Sequence, residues 1–395
     1  MEKWRKKLRK YLAGSAESSS DFAGVELSAL FPVLLRLALN SPVPVVAALP
    51  DAVAVDKLRG DLDEAMRLLR SSSRILYIPE AGRGKLLFPG GESRRARALN
   101  LALAGEFDLI VGSVHALLGP APSPSETREA VLTLRPGMAL SPSELAERLV
   151  KLDYDDEYEV TTVGEFSRRG GIVDFFSPAH DFPCRVEFFG DEIESLRGFA
   201  PETQRSTGEI TEYRCIGRAG ITAGGAAEAD VFDYLEGRDF QLAIFQPTAA
   251  FEILGKYSVP GAEARLESLI SERRGKSRLT IWYDSGEPAD ASPADVLPSA
   301  VEYSGGVGAV GAADLALAAV KSRLREFLHA GGSAVWFAIH AEDLPLLRAW
   351  AEKAQLAMTD VEFSVGAFSH GFQLPGEALL AFSETEAAVR RETAP

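Results

Sequence analysis

Between residues 20 and 115 the apolar positions recur with two different periods. "ELSALFPVLLRLALN", "AVAVDKLRGDLDEAMRLLR" and "GESRRARALNLALA" space them as helices do, whereas "VPVVAAL", "RILYI" and "FDLIVGS" are short apolar runs of strand length. That alternation predicts a parallel sheet covered by helices. It breaks at "LLGPAPSPSETREA", a proline- and serine-rich connection. A helix is predicted to open at "SPSELAERLVKL", where Ser141, Pro142 and Glu144 combine a capping box with proline at the first helical position. From Glu157 to about Arg218, strand follows strand between glycine turns, which predicts an insert dominated by antiparallel sheet. "VFDYLEG", "FQLAIF", "AEARLESLISER" and "RLTIWYD" resume the alternation and are expected to finish the α/β domain. A glycine-, alanine- and proline-rich stretch, "SGEPADASPADVLPSAVEYSGGVGAVGAAD", reads as a linker with room for one edge strand. Beyond it, "LALAAVKSRLREFLHAGG", "SAVWFAI", "AEDLPLLRAWAEKAQL", "VEFSV" and "ALLAFSE" predict a second, smaller α/β unit. The expected partition is 1–120 and 216–300 for the two parts of the α/β domain, 121–215 for the inserted α+β domain, and 301–395 for the linker and small domain.

Inside the insert, "FPCRVEFFGDEIESL" (182–196) alternates with period two. Cys184, Val186 and Phe188 point one way, and Arg185, Glu187 and Phe189 the other, so an aromatic ring is expected among charges. Gly190 and Asp191 fit a two-residue hairpin loop in which glycine supplies positive φ. Upstream, Arg168 and Arg169 precede two glycines and the strand that begins at Ile172. If these strands adjoin, Arg169 and Arg185 flank an exposed Phe189, the composition of a protein-binding hot spot. The alternative is that Phe189 packs under a neighbouring element while the arginines pair with Glu187 or Asp191.

Composition narrows the function. The 395 residues are 46% hydrophobic, enough for more than one buried core. A formal net charge of -15 repels phosphate backbones, so nucleic acid is not the default partner and direct DNA binding is expected to be weak or absent. Cys184 and Cys215 are too few for a disulfide framework, and a reducing cytoplasm is expected. "MEKWRKKLRK" leads into "YLAGSAESSS" rather than an apolar run, so it reads as a solvated helix and not as a secretory signal. The longest strongly apolar run, "FPVLLRLAL", is too short to span a bilayer, and no membrane role is expected.

Catalytic chemistry has no visible home. "AGRGKLLFPGG" places Lys85 after Gly82 and Gly84, but Leu86 follows, so no hydroxyl is available for magnesium; it reads as a surface turn before a strand. No Walker B aspartate follows an apolar strand. The acidic run Asp153, Asp155, Asp156 and Glu157 reads as a solvated loop, and His115, His180, His329, His340 and His370 lack metal-ligand spacing. Neither an enzyme activity nor a cofactor is expected.

The segment "VTTVGEFSRRGGIVDFFSPAHDFPCRVEFFGDEIESLRGFAPETQRSTGEI" resembles the UvrB-homology segment of the bacterial transcription-repair coupling factor family, Mfd, and more distantly UvrB. The likeness is carried by "GEF", "RGGIVDFF", "P-x-R-x-E-F-F-x-D-E-I-E-S-L-R" and "TQRS". It extends more loosely to "FDLIVGSVHALLGPAP" and to "GAFSHGFQLPGEALLAFSETE". The resemblance implies an α/β domain with a degenerate helicase- or RecA-like parallel sheet that has lost its nucleotide site, interrupted by a domain that binds UvrA. It implies a non-catalytic adaptor that recruits nucleotide excision repair, with the family's RNA polymerase-binding domain and translocase motor absent from this chain. The family's contact residues fall on Arg169, Arg185 and Phe189, with Arg168, Glu187 and Asp191 in support. The alternative is a UvrB-like DNA-binding protein that uses "RRGG" and the basic amino-terminal segment on phosphates.

Overall fold

The computed structural model describes residues 3–14, 20–23, 27, 30–81, 91–217, 229–257, 259–283, 292–293, 297–298, 322, 324–353, 361–369 and 371–383. "GRGKLLFPG", His370 and most of the expected linker lie outside these residues.

The chain opens with helix α1 (Lys3–Leu12), strand β1 (Ser20–Ala23) and α2 (Leu30–Asn40). It continues through β2 (Val45–Leu49), α3 (Ala52–Leu69), β3 (Ile75–Ile78), α4 (Gly91–Ala104), β4 (Leu109–Ser113) and α5 (Val114–Leu118). After the insert, β13 (Gln241–Phe245), α8 (Pro247–Tyr257), α9 (Ala262–Gly275), β14 (Leu279–Tyr283) and β15 (Ser292–Pro293) complete one seven-stranded sheet in the order β15-β1-β14-β13-β2-β4-β3. Every pairing in it is parallel. Strands β2, β4 and β13 are buried at every position, as expected of strands covered by helices on both faces. α3 begins where the Asp51 carboxylate accepts the Ala54 N–H at 2.8 Å, which satisfies one otherwise orphaned helical donor. The fold is therefore α/β with an insert between β4 and β13.

The insert starts with α6 (Pro124–Glu129), inside the stretch read as a plain connection. Ser123 and Glu126 form a capping box around Pro124, the same local chemistry that starts α7 (Pro142–Lys151) at Ser141, Pro142 and Glu144. β5 (Leu132–Leu134) pairs antiparallel with β12 (Tyr213–Cys215), and Ala121 N–H donates to Ala229 O at 2.8 Å, so the outgoing and returning chains are zipped together. Between them lie β6 (Asp155–Asp156), β7 (Glu165–Arg169), β8 (Ile172–Phe175), β9 (Cys184–Phe189), β10 (Glu192–Phe199) and β11 (Ser206–Glu209). They form a six-stranded sheet in the order β11-β10-β9-β8-β7-β6. It is antiparallel except for the short β6–β7 edge. α7 covers one face, where Leu145, Leu149, Phe166, Val173, Phe175, Val186 and Leu196 form the core. Cys184 and Cys215 are buried free thiols in the same core, and burial pushes Cys215 up to about 12.

The small unit consists of β16 (Leu297–Pro298), β17 (Ser333–Ala338), α10 (Leu344–Lys353), β18 (Val361–Val365), β19 (Phe372–Leu374) and β20 (Leu379–Ser383), in the sheet order β16-β19-β20-β17-β18. β15 and β16 both come from the expected linker and each extends a different sheet. The small unit shares a core with the first domain: Phe31 of α2 stacks on Phe368 at 5.2 Å and meets Phe372 edge-on at 5.0 Å. Asp61 of α3 accepts the Ser369 N–H at 2.6 Å and its hydroxyl at 2.7 Å.

α1 departs from the solvated helix read in the sequence. Its basic residues hide an apolar stripe, and Trp4, Leu8, Tyr11 and Leu12 are buried. Trp4 packs edge-on against Phe337 of β17 at 4.9 Å, while Lys7 donates to Ala378 O at 2.8 Å and Lys10 pairs with Glu377 at 2.9 Å. The long aliphatic stems let cationic heads reach polar partners beside an apolar seam. Trp4→Ala is expected to cost about 3–5 kcal/mol of stability in denaturant unfolding, and Lys6→Ala, on the exposed side, less than about 0.5 kcal/mol.

Candidate functional site

The site is organised by strand register. Residues opposite one another in an antiparallel pair share a face, and the side-chain period along each strand is two. Ser167, Asp174, Arg185 and Arg197 therefore form one row across β7, β8, β9 and β10. Arg169, Ile172, Glu187 and Ser195 form the next. Phe189 stands beyond them, opposite Glu192. This is the face that α7 does not cover. Arg169, Arg185, Glu187 and Phe189 are thus brought together, whereas Arg168 pairs with Val173 and belongs to the opposite face. Asp191 lies exposed in the hairpin loop, where its carbonyl accepts the Leu140 N–H at 2.9 Å.

The loop closes as its sequence requires. Phe189 opposes Glu192, leaving Gly190 and Asp191 as a two-residue connection, and Gly190 takes φ of 65°. A positive φ at the first loop position is what a tight antiparallel turn of primed type needs. Phe189 ends β9 just before this turn and is 80% exposed, while its neighbour Phe188 turns toward the core.

The two arginines differ in state. Arg185 is half-buried and gripped by Asp174, with Nε to Oδ1 at 2.8 Å and Nη2 to Oδ2 at 2.7 Å. Its guanidinium also lies over the Phe199 ring at 5.1 Å. The Asp174 hydrogen bonds raise its pKa above the usual arginine value against the opposing effect of burial. The acidic partner is therefore Asp174 and not Glu187 or Asp191. Glu187 instead accepts the Ser195 hydroxyl at 2.7 Å. Arg169 is exposed: its guanidinium stacks on the Tyr158 ring at 4.4 Å and donates to the Tyr158 carbonyl.

The face also holds residues that alternation did not single out. Tyr158 is 80% exposed and Ile172 is 37% exposed. Together with Phe189 they give apolar surface around the Arg169 charge. Tyr158 precedes β7 in a loop without periodicity, so no strand pattern assigns it a face. The loop is fixed by Glu165, whose carboxylate accepts the backbone N–H groups of Thr161 at 2.7 Å and Thr162 at 2.8 Å. Burial works to raise the Glu165 pKa, but these amide donors and both threonine hydroxyls outweigh it and hold the carboxyl below its ordinary value of 4.5.

A family model described as "UvrB interaction domain" matches residues 132–218. Those residues span the whole antiparallel sheet and the exposed face just described. Residues 132–218 are thus similar to a UvrB interaction domain. The chain is 32% identical over 201 residues to a transcription-repair-coupling factor of Myxococcus xanthus, covering 51% of this chain and 14% of that protein. It is 31% identical over 284 residues to one from Mycobacterium bovis, covering 66% and 22%. To UvrABC system protein B of Geobacillus kaustophilus it is 43% identical over 107 residues, covering 27% and 16%. The chain thus carries an Mfd- and UvrB-like module and spans between 14% and 22% of the length of these relatives. No described helix is long and apolar enough to cross a membrane.

Two outcomes follow from the packing of the inserted domain. Asp174→Ala and Arg185→Ala should each destabilise it by about 1–3 kcal/mol in equilibrium unfolding, because the first strands the half-buried Arg185 and the second the buried Asp174. The double variant should cost less than the sum, by about 0.5 kcal/mol or more. Glu165 sets an acid dependence. Its folded carboxyl ionises below 4.5, so on acidification the unfolded chain takes up the proton first. The stability it contributes is whole above pH 4.5 and is lost as pH falls through the folded value. Glu165→Gln should flatten that part of a pH-dependent melting curve.

Proposed function

We propose that the chain is a non-catalytic adaptor that binds UvrA through the open face of its UvrB interaction domain and so recruits nucleotide excision repair. The observation that carries this reading is Phe189, a large aromatic ring left 80% exposed at the end of a strand whose same face presents Arg185 and, two strands away, Arg169. Exposed aromatic and arginine side chains are the commonest energetic anchors of protein interfaces. Similarity to proteins named as transcription-repair-coupling factors and as UvrABC system protein B supports the reading. The adaptor is proposed to hydrolyse no nucleotide, on the ground that the sequence has no glycine-rich loop ending in lysine and a hydroxyl residue.

In a titration with purified UvrA, Phe189→Ala and Arg169→Ala should each weaken binding about tenfold or more while the melting curve stays close to wild type. Arg185→Ala should weaken binding together with a loss of stability, since its guanidinium is tied to Asp174. Unchanged affinity for both Phe189→Ala and Arg169→Ala would contradict the assignment.

A further inference from the structure

We infer that Tyr158 is the positioning residue of this surface: stacked against Arg169, it fixes the guanidinium so that its remaining donors meet a carboxylate of the docking protein. The inference rests on the UvrA-docking reading and goes beyond it by naming a residue and the chemistry of its counterpart. Three observations carry it. The Arg169 guanidinium lies 4.4 Å from the Tyr158 ring centroid and donates through Nη2 to the Tyr158 carbonyl, so ring and backbone hold it from one side. The Ser167 hydroxyl donates to the same carbonyl at 3.0 Å, and Glu165 pins Thr161 and Thr162 just beyond, so the loop that carries Tyr158 is tied to β7 at both ends. Arg169 makes no ion pair with any described carboxylate, in contrast to Arg185 with its bidentate Asp174.

A long, exposed arginine samples many rotamers, and fixing it costs affinity on binding. An aromatic shelf removes much of that cost in advance, because a guanidinium is planar, weakly hydrated and favourable over a ring face. The planar fork matches a carboxylate in bidentate geometry. A nucleic-acid phosphate would fit the same fork. However, Asp155, Asp156, Glu157 and Glu159 are exposed around Tyr158 and the whole chain carries -15, which favours a discrete acidic side chain on a protein over a polyanion. Of Arg169 and Arg185, Arg169 is then the one that reads the partner, and Arg185 serves the sheet.

The test is a UvrA titration of the full chain with wild type, Tyr158→Ala, Tyr158→Phe, Arg169→Ala, Tyr158→Ala/Arg169→Ala and Phe189→Ala, each checked for an unchanged melting curve. Tyr158→Ala should weaken binding roughly two- to fivefold, the scale of an exposed cation–π contact. Tyr158→Phe, which keeps both ring and carbonyl, should bind like wild type, and the double variant should bind no more weakly than Arg169→Ala. Losses that multiply in the double variant would overturn the positioning role, as would wild-type affinity for Tyr158→Ala while Phe189→Ala and Arg169→Ala bind weakly. In that last case the docking reading stands and only this inference falls. Wild-type affinity for all variants would overturn both. Arg169-dependent binding of a duplex oligonucleotide, competing with UvrA, would overturn the carboxylate.

Discussion

The structure of the exposed face depends on one pairing: Asp174 of β8 opposite Arg185 of β9, joined by two short hydrogen bonds. Side chains alternate with period two, so a slip of one residue between these strands would turn every side chain over. Phe189 would enter the core and Phe188 would emerge. Apolar packing of Val173, Val186 and Phe175 beneath the sheet disfavours such a slip, and the ion pair above it adds a directional lock, since a guanidinium fork matches a carboxylate in only one register.

That lock separates two kinds of arginine that look alike in sequence. Arg185 spends its donors within the sheet, over Phe199 and against Asp174, and keeps Phe189 facing outward. Arg169 stands at the end of β7, where the strand runs out into the Gly170–Gly171 turn, and its charge remains available. The apolar neighbours Tyr158, Ile172 and Phe189 surround that charge with surface that an interface would bury. Below this face, the insert is closed by its β5–β12 clasp, while the parallel sheet and the small unit are fused through Phe31, Phe368 and Trp4. The open face therefore belongs to an insert carried by a parallel-sheet domain that shares aromatic contacts with the small unit.

Much of this was legible from the chain because its causes are local. Continuous apolar runs such as "VPVVAAL" and "FDLIVGS" announced strands buried on both sides, the capping residues of α7 announced its start, and alternation in "CRVEFFGDE" put Phe189 on the outer face. What was not legible depends on distant partners. Asp174 is eleven residues from Arg185, and only the β8–β9 register makes it the acidic partner in place of the nearer Glu187 and Asp191. Arg168 and Arg169 are adjacent in sequence and fall on opposite faces. The amphipathic character of α1 was masked by its six lysines and arginines, because the receiving surface around Phe337 lies more than 300 residues away. α6 was signalled by Ser123, Pro124 and Glu126, the same start signature that marked α7, but the surrounding prolines read as a connection.

The open face of the antiparallel sheet is proposed to be where the chain meets UvrA. Hydrogen–deuterium exchange of the chain alone and saturated with UvrA tests it most directly. New protection is expected to concentrate in residues 156–172 and 186–192, with the amides of the seven-stranded parallel sheet unchanged. Saturated UvrA binding that leaves those two segments exchanging at their free rates, or that protects the parallel sheet instead, would contradict it.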